Sequence, residues 1–93
     1  MEFEWHDEKR QRNLDKHGID FRDAVRVFQD PQHLWGFDEE HYDVEERWWI
    51  LGRVHDTVLV VVWTERDGDV IRIISARRAT RHEEETYYES FAR

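Results

Sequence analysis

The chain has 93 residues with 22 acidic and 14 basic side chains, for a formal net charge of −8 at pH 7. A chain of this length predicts a single domain over residues 1–93, and its acidic balance argues against nonspecific nucleic-acid binding, because such affinity comes from cations that neutralise phosphates. Cysteine is absent, which excludes disulfides and thiolate metal sites.

The longest apolar run, residues 58–63, is too short to cross a membrane. The first residues lack the basic start and apolar stretch of a signal peptide. We therefore expect neither export nor membrane insertion, and the cytoplasm is the predicted location.

The N-terminal part of the chain predicts a strand followed by a helix. Phe3 and Trp5 alternate with acidic residues, which is typical of a short strand with one buried face. Residues 7–17 contain good helix formers and no proline, and Gly18 stands where a left-handed C-cap ends a helix.

A second helix is predicted to begin after Asp20, at a sequence that resembles a capping box. It is expected to end near Gln29, because Pro31 disfavours a helical conformation of the residue before it. Residues 33–45 are aromatic and acidic around Gly36, which indicates an edge strand or a long loop.

The C-terminal half predicts a β-meander and a final helix. Residues 80–83 fit the S/T-x-x-E capping box, and Tyr87, Tyr88 and Phe91 give the helix after them an aromatic face. The predicted fold class is α+β, with an antiparallel meander of about four strands. The three clearest strands of that meander are residues 47–53, 57–65 and 70–76.

No spacing among the six histidines matches a zinc site, and no glycine-rich nucleotide loop is present. We therefore expect no metal and no cofactor.

Arg77 is the first candidate functional residue. Strict alternation along the last strand places Arg77 on the face of Ile73, at the end of a buried apolar row. An arginine there can hold an anion, aided by the positive end of the helix that begins at Thr80. The alternative is that Arg77 pairs with a carboxylate such as Glu83 or Glu46 and anchors the helix.

Lys16 and His17 form the second candidate group, which offers a cation and a titratable imidazole at the end of the first helix. The alternative is that they complement the negative end of the helix dipole.

Elements spread over nearly the whole chain form one specific pattern, which resembles the BrnT family of toxins from bacterial type II toxin–antitoxin systems. They include Phe3-Glu4-Trp5, Lys9, Asn13-Leu14, Lys16-His17-Gly18-Ile19, Val27-Phe28-Gln29-Asp30-Pro31, Leu51-Gly52-Arg53, Arg72-Ile73-Ile74-Ser75-Ala76-Arg77-Arg78-Ala79-Thr80, Glu83 and Tyr87.

The resemblance implies a RelE/ParE-like fold and a metal-independent endoribonuclease that cleaves RNA, as mRNA, through attack of its 2′-OH. It also implies a BrnA-type ribbon-helix-helix antitoxin that inhibits the toxin, forms a hetero-oligomer with it and alone contacts operator DNA.

Cleavage by the 2′-OH needs a base, cations for the charged phosphorane and an acid. On the resemblance, His17 is the first candidate for proton transfer and Tyr87 the second, and Arg77 is expected to face a groove rather than a carboxylate. The implied catalytic residues are Lys16, His17, Arg77 and Tyr87, and the implied substrate-binding residues are Arg53, Arg72, Arg78 and Thr80.

A second hypothesis is a noncatalytic module of the same fold. Its arginines and the acidic residues 38–46 would then bind an antitoxin or another protein, because fold alone does not determine activity.

Overall fold

The computed structural model describes residues 1–40 and 45–92. Its five strands form one sheet, with helices before the first meander strand and after the last. The elements are β1 (Glu2–Glu4), α1 (Asp7–His17), α2 (Phe21–Ala24), a 3₁₀ helix (Val25–Gln29), β2 (Leu34–Phe37), β3 (Trp48–Val54), β4 (Thr57–Arg66), β5 (Val70–Arg78) and α3 (Arg81–Glu89).

The strand order is β1-β5-β4-β3-β2. Strands β2 to β5 form an antiparallel meander, and β1 pairs in parallel with the beginning of β5. The predicted α+β class, N-terminal strand, four-stranded meander and C-terminal helix are therefore confirmed. Of residues 33–45, the part in β2 is an edge strand, and residues 41–44 lie outside the described residues.

The second predicted helix is only partly α-helical. Asp20 caps it as expected, because its side chain accepts a hydrogen bond from the Arg22 N–H, but the α-helix ends at Ala24 and a 3₁₀ helix continues to Gln29. Val27 in this tighter segment packs closely on Gly52, where an added Cβ would lie 2.9 Å from the Val27 Cγ1. The 3₁₀ conformation of this segment therefore coincides with its close packing on β3, and the helix propensity of its residues does not indicate it.

The two faces of the sheet carry different elements. The face toward α1 and α2 holds the larger apolar core. On the opposite face, Leu51, Val58 and Val60 pack with Tyr87 of α3. None of the described helices is long and apolar enough to cross a membrane.

A β-bulge in β5 corrects the predicted position of Arg77. Trp63 pairs with Ile73 and Val62 pairs with Ser75, so Ile74 is an extra residue on β5. The alternation of faces therefore shifts after Ile73. Ala76 joins the α1-side core, and Arg77 lies on the α3 face, opposite Val60 in the register. The prediction that Arg77 ends the buried apolar row of Ile73 was therefore wrong, because the bulge places Arg77 on the other face of the sheet.

Candidate functional site

Five of the residues predicted for function line three separate cavities, and these cavities share no lining residue. Lys16 and His17 lie in one, which we call the α1 cavity. Arg53 and Tyr87 lie in a second, the hairpin cavity. Arg77 lies in a third, the α3 groove. The structure thus divides the predicted catalytic set among three places.

The α1 cavity has a volume of about 310 Å³ and is lined by Lys9, Arg12, Asn13, Lys16, His17, Ile74 and Ser75. Helix α1 places the three cations on one face, because residues three, four and seven apart are neighbours on a helix. In the part of the chain that the structure describes, none of the three forms an ion pair. None of the described residues that line this cavity carries a carboxylate, so its described lining is cationic with one imidazole.

Buried hydrogen bonds hold the floor of the α1 cavity. The Asn13 amide donates to the carbonyl oxygens of Ile19 at 2.9 Å and Ala76 at 2.7 Å, and it accepts from the Ala76 N–H at 3.0 Å. Gly18, in the left-handed conformation with φ of 73°, ends α1 directly after His17. The backbone that carries Lys16 and His17 is therefore fixed against β5.

The hairpin cavity has a volume of about 480 Å³, and its polar lining includes Arg26, Asp30, Arg53, His55 and Tyr87. The Asp30 carboxylate is its hub, because it accepts from the backbone N–H groups of Arg53 at 2.7 Å and Gln32 at 2.8 Å and from the Tyr87 hydroxyl. Partial burial opposes ionisation of Asp30, but these hydrogen bonds outweigh burial and hold its pKa below the usual value.

Tyr87 itself is 2% exposed. Burial, followed by the hydrogen bond to the Asp30 carboxylate, raises the pKa of the Tyr87 hydroxyl well above its usual value. A phenol in this state releases its proton reluctantly, and its hydroxyl is already committed to Asp30.

Arg77 binds a carboxylate, in contrast to the expectation that it faces only a groove. Its Nη1 and Nη2 donate to the two Glu83 oxygens at 2.8 and 3.0 Å. The hydrogen bond from Arg77 lowers the pKa of Glu83 to about 2. The alternative of helix anchoring is thus observed, because Glu83 also forms the capping box with Thr80. The short separation favours this pair, since Glu83 lies in the first turn of α3, six residues after Arg77.

The Arg77 side chain remains 40% exposed and also borders the α3 groove. This groove of about 400 Å³ has an apolar floor that includes Trp49, Leu51, Val60 and Val62, and its acidic side chains are Asp38, Glu40 and Glu83.

The other predicted substrate-binding residues are dispersed. Arg72 donates to the Glu4 carboxylate at 2.7 Å and lies 3.5 Å from the His6 imidazole. Arg78 is exposed at the end of β5, and Thr80 is the N-cap of α3.

Sequence analysis did not identify Arg26, Asp30 and His55 as a cluster. From the sequence, Asp30 entered as the residue before Pro31 and as part of the family pattern, and His55 as one of six histidines whose spacing matches no zinc site. His55 and Arg26 are 29 positions apart, so no local motif relates them. Among residues 1–40 and 45–92, no group of three or more histidine and acidic side chains is arranged to hold a metal ion.

Comparison with known proteins identifies the family. The family model described as ribonuclease toxin, BrnT, of type II toxin–antitoxin system matches residues 5–83. The fold is similar to the 1.1 Å crystal structure of the Brucella abortus ribonuclease toxin BrnT, with a TM-score of 0.72 and 24% identity, covering 87% of this chain and 99% of that chain. No curated protein matches the sequence. Since the family model covers most of its length, the chain belongs to the BrnT family of ribonuclease toxins of type II toxin–antitoxin systems.

Proposed function

We propose that this chain is an endoribonuclease toxin whose α1 cavity cleaves RNA through attack of the 2′-OH. The observation that carries the proposal is the composition of that cavity: Lys9, Arg12 and Lys16 line it together with His17, and none of the described residues contributes a carboxylate to it. In a chain of net charge −8, this is a local site where a phosphate is attracted rather than repelled.

The proposed reaction uses groups already in the α1 cavity. His17 accepts the proton of the 2′-OH as its oxygen attacks phosphorus, and the cations, Lys16 foremost, stabilise the added negative charge of the phosphorane. The P–O5′ bond then breaks, and the His17 imidazolium returns its proton to the 5′-oxygen. The products are a 2′,3′-cyclic phosphate and a 5′-hydroxyl end, and no metal is required.

We assign supporting roles to the other two predicted catalytic residues. Arg77 holds Glu83 and thereby the start of α3, and Tyr87 holds Asp30. Arg53 and Arg78 are exposed and remain our candidates for contacts with the RNA backbone, whereas Arg72 is engaged by Glu4 and Thr80 by the capping box.

The family implies an antitoxin partner and an RNA target. We propose that the antitoxin is a BrnA-type ribbon-helix-helix protein that inhibits the nuclease and alone contacts operator DNA. The net charge of −8 supports the second point, because direct binding of this chain to duplex DNA would be electrostatically unfavourable.

A noncatalytic binding module is the second candidate function, and the α3 groove favours it. Its apolar floor and acidic side chains suit a basic amphipathic segment of a protein partner. This function predicts partner binding without RNA cleavage.

The test is incubation of the purified protein with an RNA oligonucleotide in the presence of EDTA. We expect cleavage to persist and the products to carry cyclic phosphate ends, and we expect no cleavage where a 2′-deoxynucleotide replaces the nucleotide before the scissile bond. Cleavage abolished by EDTA, or unaffected by the 2′-deoxy substitution, would refute the mechanism. No cleavage of any RNA, together with intact antitoxin binding, would favour the binding module.

A further inference from the structure

The hairpin cavity brings together two arginines from distant parts of the chain. Arg26 comes from the 3₁₀ helix and Arg53 from β3, and both line the same opening. Within the described ranges 1–40 and 45–92, neither guanidinium forms an ion pair with a carboxylate. The positive charge of both side chains is thus available to a ligand.

His55 adds a hydrogen-bond donor to these cations. It has a φ of 55° in the turn between β3 and β4, a left-handed conformation that is uncommon outside glycine and often marks functional positions. Its Nε2 lies 3.0 Å from Nη1 of Arg26. Because a guanidinium only donates, Nε2 accepts this hydrogen bond and the ring carries its proton on Nδ1.

Asp30 is the carboxylate among the described residues that line the hairpin cavity. Within those residues it forms no ion pair with the guanidinium group of Arg26 or Arg53. Its oxygens accept from the backbone N–H groups of Gln32 and Arg53 and from the Tyr87 hydroxyl. These three donors satisfy the carboxylate within the protein. The exposed guanidinium groups therefore dominate the surface that a ligand meets.

An aromatic ring completes the opening. Phe91 is 41% exposed and lines the cavity. Its ring centroid lies 5.2 Å from that of Tyr87 and 6.0 Å from that of Tyr88, so its position is set by packing on both tyrosines. A partly exposed aromatic ring beside two guanidinium groups is a surface on which a nucleic-acid base can stack.

We propose that the hairpin cavity is a second RNA subsite, separate from the α1 cavity, that binds one nucleotide of a single strand. Arg26 and Arg53 hold phosphate, His55 donates from Nδ1, and Phe91 stacks on a base. The inference rests on the proposed function, because it takes RNA as the ligand that supplies the phosphate and the base.

The test uses a fluorescent 12-nucleotide 2′-O-methyl RNA, which has no 2′-OH nucleophile and stays intact whether or not the protein is a nuclease. Its Kd is measured by anisotropy over a range of salt concentrations for the wild type and for the Arg26→Gln/Arg53→Gln double variant. Arg66→Gln is the matched control, because Arg66 is an exposed arginine at the other end of β4.

We expect the double variant to bind at least about tenfold more weakly at low salt, and its slope of log K against log salt to decrease by about 0.7 for each phosphate that the variant no longer neutralises. Phe91→Ala should weaken binding about tenfold with an unchanged slope, because stacking does not release counterions. The control should match the wild type.

Three outcomes would refute the proposal of a second RNA subsite. If the wild type binds the RNA and the double variant retains its Kd and slope, the inference fails while the proposed function stands. If the wild type does not bind RNA at all, both fail. If 5′-UMP alone binds as tightly as the 12-mer, with the same sensitivity to the variants, the cavity is a site for free nucleotides instead.

Discussion

The side chain of Asn13 pairs with the backbone of Ala76 as a neighbouring strand would. Strand β1 pairs with β5 only at residues 70–72, and beyond this point the Asn13 amide both donates to the Ala76 carbonyl oxygen and accepts from the Ala76 N–H. Asn13 is 7% exposed, so water does not replace it readily. One side chain thus satisfies the edge of β5 and fixes the helix that carries Lys16 and His17.

We predict that Asn13→Ala lowers the free energy of unfolding by about 3 kcal/mol, because it leaves buried backbone groups of Ala76 and Ile19 without a hydrogen-bond partner. Urea denaturation followed by circular dichroism measures this change. Gln11→Ala on the same helix is the control, since the Gln11 side chain is exposed and donates to Asp15 of the same helix. A loss below about 1 kcal/mol for Asn13→Ala would contradict the strand-like role.

The Arg77–Glu83 pair predicts a defined dependence of stability on pH. The pKa of Glu83 is about 2 in the folded chain and 4.5 as the reference value. A depressed pKa contributes stability that is fully present above the unfolded value and is lost as pH falls toward the folded value. We therefore expect the wild type to be more stable than Glu83→Gln above about pH 5, and the difference to disappear between pH 4.5 and 2.

Glutamine suits this comparison, because it removes the charge but retains an oxygen for the Thr80 N–H. Glu84→Gln in the same turn is the control, because it removes one carboxylate and leaves the Arg77–Glu83 pair intact. A difference between the wild type and Glu83→Gln that stays constant down to pH 2 would show that the ion pair contributes no stability.

Tyr87→Phe separates a structural from a catalytic role of this residue. The variant removes the donor to the Asp30 carboxylate but keeps the ring that packs on β3 and β4, so we expect a stability loss of about 2 kcal/mol. Single-turnover RNA cleavage at a temperature where the variant stays folded should remain within about threefold of the wild type. A fall of a hundredfold with the fold intact would make Tyr87 catalytic.

Sequence patterns predicted the features that depend on near neighbours. Gly18 ends α1 as expected, and both halves of the Thr80–Glu83 capping box are present. The strands of the meander also lie close to their predicted positions, because alternation and β-branched residues mark buried strands directly.

Features that depend on distant packing were not predictable in the same way. The bulge at Ile74 changed the face of Arg77, and no glycine or other local signal marks it. The 3₁₀ helix accompanies the contact between Val27 and Gly52, which are 25 positions apart. The hairpin cavity likewise depends on a hydrogen bond from Arg26 to His55 across the fold.

In the proposed mechanism His17 transfers the proton during RNA cleavage, and this role is tested by single-turnover cleavage of one RNA oligonucleotide by His17→Ala. His82→Ala, at the exposed start of α3, is the matched control. We expect His17→Ala to cleave at least about a hundredfold more slowly with an unchanged melting temperature, and His82→Ala to cleave like the wild type. If folded His17→Ala protein cleaves at the wild-type rate, His17 does not transfer the proton.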